Sequence, residues 1–309
     1  DKKKDLKSVS IEEYAPAPDE KKASASDRIA LIYANGDIIS GEGNDESIGS
    51  DRISRAIRKA RMDTKVKAIV LRVNSPGGSA LASDVIWREM VLAKKSKPVM
   101  VSMGDVAASG GYYIACAADS IFAQPNTITG SIGVFGIIPN MQNFFKNKLG
   151  ITFDGVKTGK FADLGTVSRP LTDAERMIIQ QEVNKVYSTF TQKVADGRKK
   201  SQTYIDSIGQ GRVWSGTEAL QNGLVDRLGD IDDAIASAAK KAKITDYKIV
   251  SYPDQVDPLK SLFEHSGDKV KTYFLKQELG DQFIYYEQMK SAIKLSGVQA
   301  RMPYNIQVK

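Results

Sequence analysis

The strongest restriction on the fold of this chain is a recurring alternation of short β-branched runs with helical patterns. "RIALIYANG" from Arg28, "VKAIVLRVNS" from Val66, "PVMVSMGD" from Pro98 and "SIFAQP" from Ser120 are apolar runs of strand length. Each is bounded by turn residues, as a buried strand is. Helical patterns lie between them, over Ser50–Met62, Ala80–Lys94 and Ala107–Ala118. Strand–helix alternation predicts an α/β fold with mostly parallel strands. The second half is more helical. Thr172 with Glu175 three residues on has the form of a capping box opening a long helix, and Asp232–Ile244 reads as another. Between them, Gly211–Asp230 reads as strand, turn, helix with a glycine stop, then turn.

Composition divides the chain further. Residues 1–27 are charged, rich in Pro, Ala and Ser and without periodicity, which predicts a linker from a preceding domain. Residues 28–252 carry the alternation and form the expected main domain, and 253–309 read as a C-terminal extension, aromatic and charged with little alternation. The opening "DKKKDLKSVS" has neither an initiator methionine nor a signal-type apolar core, so it reads as a trimmed or processed start. No apolar run reaches membrane-spanning length. The net charge of +7 comes from scattered lysines with no aromatic and basic stripe, so nucleic acid is not an expected partner. The single cysteine, Cys116, excludes an intrachain disulfide and a cysteine zinc cluster. No His/Asp/Glu cluster suggests a metal, and no cofactor is expected.

Two of the strands run into loops of small residues. In the first, "NSPGGSA" at Asn74–Ala80, consecutive glycines allow close approach of a ligand, or simply make a tight strand–helix turn. Their spacing fits neither the Walker nor the dinucleotide fingerprint. The second, "GDVAASGGYY" at Gly104–Tyr113, sets Ser109 between alanines and glycines. Ser109 is placed to be an ordinary helix N-cap. It is equally placed to be a nucleophile, with little bulk around it and helix N–H groups ready for an oxyanion. The residues alone leave both readings open.

The pair of loops resembles the serine peptidases of the Clp/crotonase superfamily, and in particular signal peptide peptidases of the SppA type, peptidase family S49. The resemblance covers about Arg28 to Tyr252 and rests on "SPGGS" (Ser75–Ser79), "SMGDVAASGGYYIACAAD" (Ser102–Asp119), "TITGSIGV" (Thr127–Val134) and "GRVWSGTEALQNGLVDRLG" (Gly211–Gly229). It implies a crotonase/Clp-protease-like spiral of ββα units. It also implies that Ser109 is the nucleophile, that the N–H groups of Gly78 and Gly110 hold the oxyanion, and that Ser131 helps to orient the general base. The base in this family is a lysine, which must be desolvated to lose its proton near neutral pH. No histidine is then needed. The family position of that lysine falls on Ala162, with Lys160 as the alternative within the chain.

Long members of the family have two homologous halves, the carboxy-terminal one supplying the serine and the amino-terminal one the lysine. The resemblance is therefore to the carboxy-terminal half of a long-form enzyme, completed by a homologous N-terminal half and inactive or nearly so without it. It implies cleaved signal peptides as substrates, a place at the periplasmic face of the bacterial inner membrane, and a homo-oligomer, a tetramer by preference. Two other readings stand beside it: a non-catalytic scaffold half, and an acyl-CoA enzyme of the crotonase superfamily. The second normally wants carboxylates by the oxyanion loops, where the sequence offers only Asp84 and Asp105. His265, Cys116, Tyr112, Tyr113, Asp226 and Asp230 are read as surface, packing or capping residues.

Overall fold

The computed structural model describes residues 25–253 and 297–302. Of the expected linker only Ala25–Asp27 falls within that range, and of the expected extension only Pro253 and 297–302; His265 lies outside the described residues. The main sheet is built from β1 (Arg28–Asn35), β4 (Val66–Ser75), β6 (Val99–Ala108), β7 (Ser120–Ala123), β8 (Ile128–Gly130), β10 (Val213–Ser215), β11 (Arg227–Leu228) and β12 (Lys248–Tyr252). Its main path runs β10-β8-β6-β4-β1-β12, with β7 beside β6. Only the β8–β10 pair in it is antiparallel. A second sheet takes β2 (Asp37–Ile39), β3 (Ser47–Gly49), β5 (Gly77–Ser79), β9 (Phe135–Ile137) and β13 (Gly297–Arg301), in the order β3-β2-β5-β13-β9.

The sequence of connections explains this two-sheet form. β1, β4 and β8 each leave the main sheet and continue as β2, β5 and β9 of the second. Helices α1 (Ser50–Met62) and α2 (Ala80–Lys94) return the chain after the first two of these excursions. The result is the α/β architecture that the alternation predicts, in the spiral of ββα units that the family resemblance implies.

The alternating pleat sends successive residues of each strand to opposite faces. Ile29, Leu31, Ala68, Val70, Met100 and Phe122 meet α8 (Ile231–Ala242) on one side. Ala30, Ile32, Ile69, Leu71, Val73 and Val101 join the larger core on the other. Covering on both sides is why these strands are apolar at nearly every position.

Further helices are α3 (Gly110–Ala115), α4 (Gln142–Leu149), α5 (Asp173–Arg198), α6 (Gln202–Ile208) and α7 (Gly216–Gln221). The Thr172/Glu175 capping box is formed, with Thr172 Oγ1 accepting from the Glu175 N–H. Asp230 caps α8, and Asp226 accepts from the Ile121 N–H while pairing with Arg198. One expected boundary is corrected. The helix read over Ala107–Ala118 begins only at Gly110, because Ala107 and Ala108 pair with Thr129 and Gly130 in the sheet. Alanine's local preference for helix yields there to tertiary pairing. No helix among the described residues is long and apolar enough to cross a membrane.

Near its end α5 crosses α3 backbone to backbone. A Cβ on Gly197 would stand 2.3 Å from the Cys116 carbonyl oxygen. Gly197→Ala is therefore expected to destabilise the fold by about 1–3 kcal/mol, the usual cost of overpacking, although alanine is the better helix former. The urea unfolding midpoint measures this, and a midpoint raised by the substitution would contradict the close packing.

Candidate active site

Strands β4, β6 and β8 lie side by side and parallel, so their C-terminal ends open at one edge of the sheet. The loops that follow these ends carry the residues singled out in the sequence. After β4, Ser75 Oγ accepts the Gly77 N–H at 3.1 Å and steadies the turn into β5. Gly77 has φ +100°, a conformation that L side chains rarely adopt. A Cβ there would stand 2.7 Å from the Gly110 nitrogen, and one on Gly78 would stand 2.1 Å from the Ile38 carbonyl oxygen. The two glycines therefore let three pieces of backbone crowd together.

After β6, Ser109 turns the chain into α3 with φ 52° and ψ −114°. A non-glycine residue in such a region costs on the order of 1–3 kcal/mol and persists only where its surroundings impose it. The surroundings here are explicit. The Ser109 N–H donates to the Gly130 carbonyl at 2.9 Å, and its carbonyl accepts from the Tyr113 N–H at 2.8 Å. The side chain makes no capping bond to the helix. Its Oγ instead donates across a long 3.4 Å contact to the Gly133 carbonyl, and the residue is fully buried. Ser109 thus stands at the N-cap position of α3 without forming the capping bond. Among the described residues no lysine, histidine or carboxylate is hydrogen-bonded to this hydroxyl.

Ser131 follows Gly130 as Ser109 follows Ala108, and Gly130 and Ala108 are register partners. The two serines thus leave adjacent strand ends side by side. Ser131 also has positive φ, 46°, and its N–H donates to the Arg212 carbonyl at 2.7 Å. Gly110 and Gly111 leave little bulk beside Ser109, and close packing also requires them. A Cβ on Gly110 would meet Ser83 Oγ at 2.6 Å, and one on Gly111 would meet the Ser75 carbonyl oxygen at 2.6 Å.

Ala162 and Lys160 are carried by a different part of the chain, and both are exposed. The segment between β9 and α5 includes α4, none of whose residues is buried. It displays Phe144, Leu149, Ile151, Phe153 and Val156 to solvent. Two residues before position 162, Lys160 would share its side only in an extended segment. It lies instead in a turn, closed by the Ala162 N–H on the Gly159 carbonyl at 3.2 Å, with its ammonium 5.3 Å from the centre of the Phe161 ring. Lys157 pairs with Asp163 at 2.7 Å. Asp163 pairs with Arg169 at 2.8 Å, and Arg169 reaches the buried Glu175 at 2.6 Å.

Other candidates take structural places. Tyr112 is buried and donates to the Leu224 carbonyl at 2.8 Å. Tyr113 donates to Asp84 at 2.8 Å, and Lys193 pairs with the same carboxylate. Asp105 is exposed on β6. Of the two carboxylates offered by the acyl-CoA reading, Asp84 is thus engaged by Tyr113 and Lys193, and Asp105 lies exposed on its strand. Burial pushes the Cys116 thiol up to about 12, which leaves it unreactive. No group of three or more His, Cys, Asp or Glu that could hold a metal occurs among the described residues.

The Peptidase family S49 model matches residues 92–245, and the Clp protease model matches residues 20–129. The chain is 44% identical over 250 residues to Protease 4 of Salmonella typhi, across 81% of this chain and 40% of that protein. It is 39% identical over 241 residues to the chloroplastic serine protease SPPA of Arabidopsis thaliana, across 76% of this chain and 36% of that protein. It is 35% identical over 234 residues to a putative signal peptide peptidase SppA of Enterococcus faecium, across 74% of this chain and 68% of that protein. The chain thus spans less than half of the first two relatives and about two thirds of the third.

The network at the foot of the exposed segment predicts an acid response. Arg169, then the Thr172 N–H and hydroxyl, hold the Glu175 carboxyl down from 4.5 to about 2. A depressed folded-state value contributes stability that is full above 4.5 and is lost as pH falls through that window toward 2. Thermal midpoints between those pH values are expected to fall less steeply for Glu175→Gln than for the parent; equal slopes would show that the pair does not tether the segment.

Proposed function

The chain belongs to peptidase family S49, and from that premise we propose that it supplies the nucleophile and oxyanion site of a Ser–Lys peptidase whose base comes from a homologous half. The observation that carries this reading is Ser109 itself, a buried serine forced into a disfavoured turn with its hydroxyl bonded to nothing in its own helix. Backbone strain held at a residue beside glycine-bearing loops is one way in which a fold presents a nucleophile.

The chemistry follows from that placement. Ser109 Oγ attacks the scissile carbonyl and passes its proton to an unprotonated lysine amine. The Gly78 and Gly110 N–H groups receive the developing oxyanion, a role that preorganised backbone donors fill without reorganisation. The lysine ammonium then protonates the departing amine, leaving an acyl-serine that water hydrolyses by the reverse proton path. Ser131, beside Ser109 at the strand ends, orients the lysine. With alanine at 162 and Lys160 held in an exposed turn, the chain's own segment is a poor source for that base. The apolar side chains exposed between β9 and α5 are of the kind that dock on another protein surface. A homologous half, within a homo-oligomer of which a tetramer is the preferred form, fits both features. The substrates in this reading are cleaved signal peptides, handled at the periplasmic face of the inner membrane.

A fluorophosphonate probe tests the reading directly. In a protein comprising both halves, labelling is expected at Ser109 and is expected to vanish in Ser109→Ala. Peptide hydrolysis by that variant is expected to fall by at least about 10,000-fold, in line with removal of other serine nucleophiles. A two-half protein that remains unlabelled would leave this domain as a scaffold.

A further inference from the structure

The cleft beside Ser109 is filled by a strand of the chain that the peptidase reading leaves unused. β13 lies between β5 and β9 and is antiparallel to both. Its register places Gln299 opposite Ser79, Ala300 opposite Gly78 and Arg301 opposite Gly77. The Met302 N–H donates to the Pro76 carbonyl at 3.0 Å. Hydrogen-bonded pairs alternate along an antiparallel ladder, so Ala300–Gly78 is the next such pair. The Ala300 carbonyl oxygen lies against both glycine loops: it is 2.2 Å from where a Cβ on Gly77 would stand and 2.9 Å from where one on Gly110 would stand. Residue 300 therefore presents its carbonyl to the loops assigned above to the oxyanion.

The same register fixes the neighbouring side chain. The Arg301 guanidinium lies 2.7 Å from the Asp37 carboxylate, with 11% of the arginine side chain and 39% of the aspartate exposed. Asp37 opens β2, whose Ile38 pairs with Gly78, so its position is tied to the same backbone as the glycine loop. A carboxylate thus stands one residue along from the point where a carbonyl meets the loops. An added strand is held by main-chain bonds that do not read sequence, and flanking side chains supply the discrimination.

We infer that the cleft between β5 and β9 takes an extended peptide in the register of β13, and that Asp37 selects an arginine or lysine at the residue following the one whose carbonyl faces Gly77 and Gly110. This deepens the peptidase reading and takes its significance from it, since that position follows the bond to be cut. The chain's own Arg301 marks the subsite. A glutamate in its place would set two carboxylates together, whereas a basic side chain gains a charge-assisted hydrogen bond.

Peptide binding tests the subsite without requiring turnover. Two fluorescently labelled heptapeptides would be titrated against the full chain by anisotropy, one copying residues 296–302 and the other carrying glutamate in place of Arg301. The arginine peptide is expected to bind about tenfold more tightly, the combined effect of one attraction gained and one repulsion avoided at a partly exposed carboxylate. Asp37→Asn is expected to bring the two peptides together, and Asp37→Lys to reverse their order, a change that misfolding would not produce. Arg301→Ala in the chain is expected to tighten binding of the arginine peptide, because a competitor for Asp37 is gone. Equal affinity in the parent, binding of neither peptide even by the Arg301→Ala chain, or an order unchanged by Asp37→Lys overturns the inference. Loss of probe labelling at Ser109 with the preference intact would instead strike at the peptidase reading.

Discussion

The hydrogen bond from the Ser109 N–H to the Gly130 carbonyl joins the ends of two parallel strands, and the site depends on it. It stands where the β6–β8 ladder runs out, and with the Tyr113 N–H on the other side it holds Ser109 in a conformation the residue would not choose. The main sheet supplies the force for this. Its strands are covered on both faces, so their ends are fixed by burial of the core and local strain at one turn is tolerated. The glycines around Ser109 follow from the same crowding. Gly77, Gly110 and Gly111 let β5, α3 and the end of β4 approach within distances that any side chain would block.

The second sheet has a different task. β2, β5 and β9 are three residues long, too short to form a core alone, and each continues a strand that the main sheet anchors. Together they flank a cleft whose edges are open backbone, which is why a strand from residues 297–301 can complete it. Backbone pairing accounts for the docking of a chain there, and Asp37 is the charged side chain at its rim. The segment between β9 and α5 contrasts with this. It is tied down at its foot by Arg169 and Glu175, yet exposes phenylalanines and aliphatic residues that nothing in the described residues covers.

Much of the site was legible because it is local. Positions around Ser75–Ser79, Ser102–Asp119 and Thr127–Val134 carry residue types that are costly to place anywhere else, and helices such as Ser50–Met62 and Ala80–Lys94 end where their periodicity ends. The boundary missed at Ala107 shows the limit of local signals. Alanine favours helix, and only pairing with Thr129 and Gly130 makes it strand. Lys160 shows the same limit, since its place is set by a turn closed on the Gly159 carbonyl, which its spacing from position 162 does not announce.

By itself the sequence determined the alternation of strands and helices, the small-residue loops at the strand ends, and a serine with either of two roles. Tertiary structure decided that its hydroxyl makes no capping bond, because backbone torsion at Ser109 is set by strands that meet only on folding. It also decided that Ser131 stands beside Ser109, and that Arg301 lies against Asp37 although the two are far apart in the chain. Such contacts come from register across a sheet, and register is fixed by burial of the whole core, beyond what any short stretch of residues encodes.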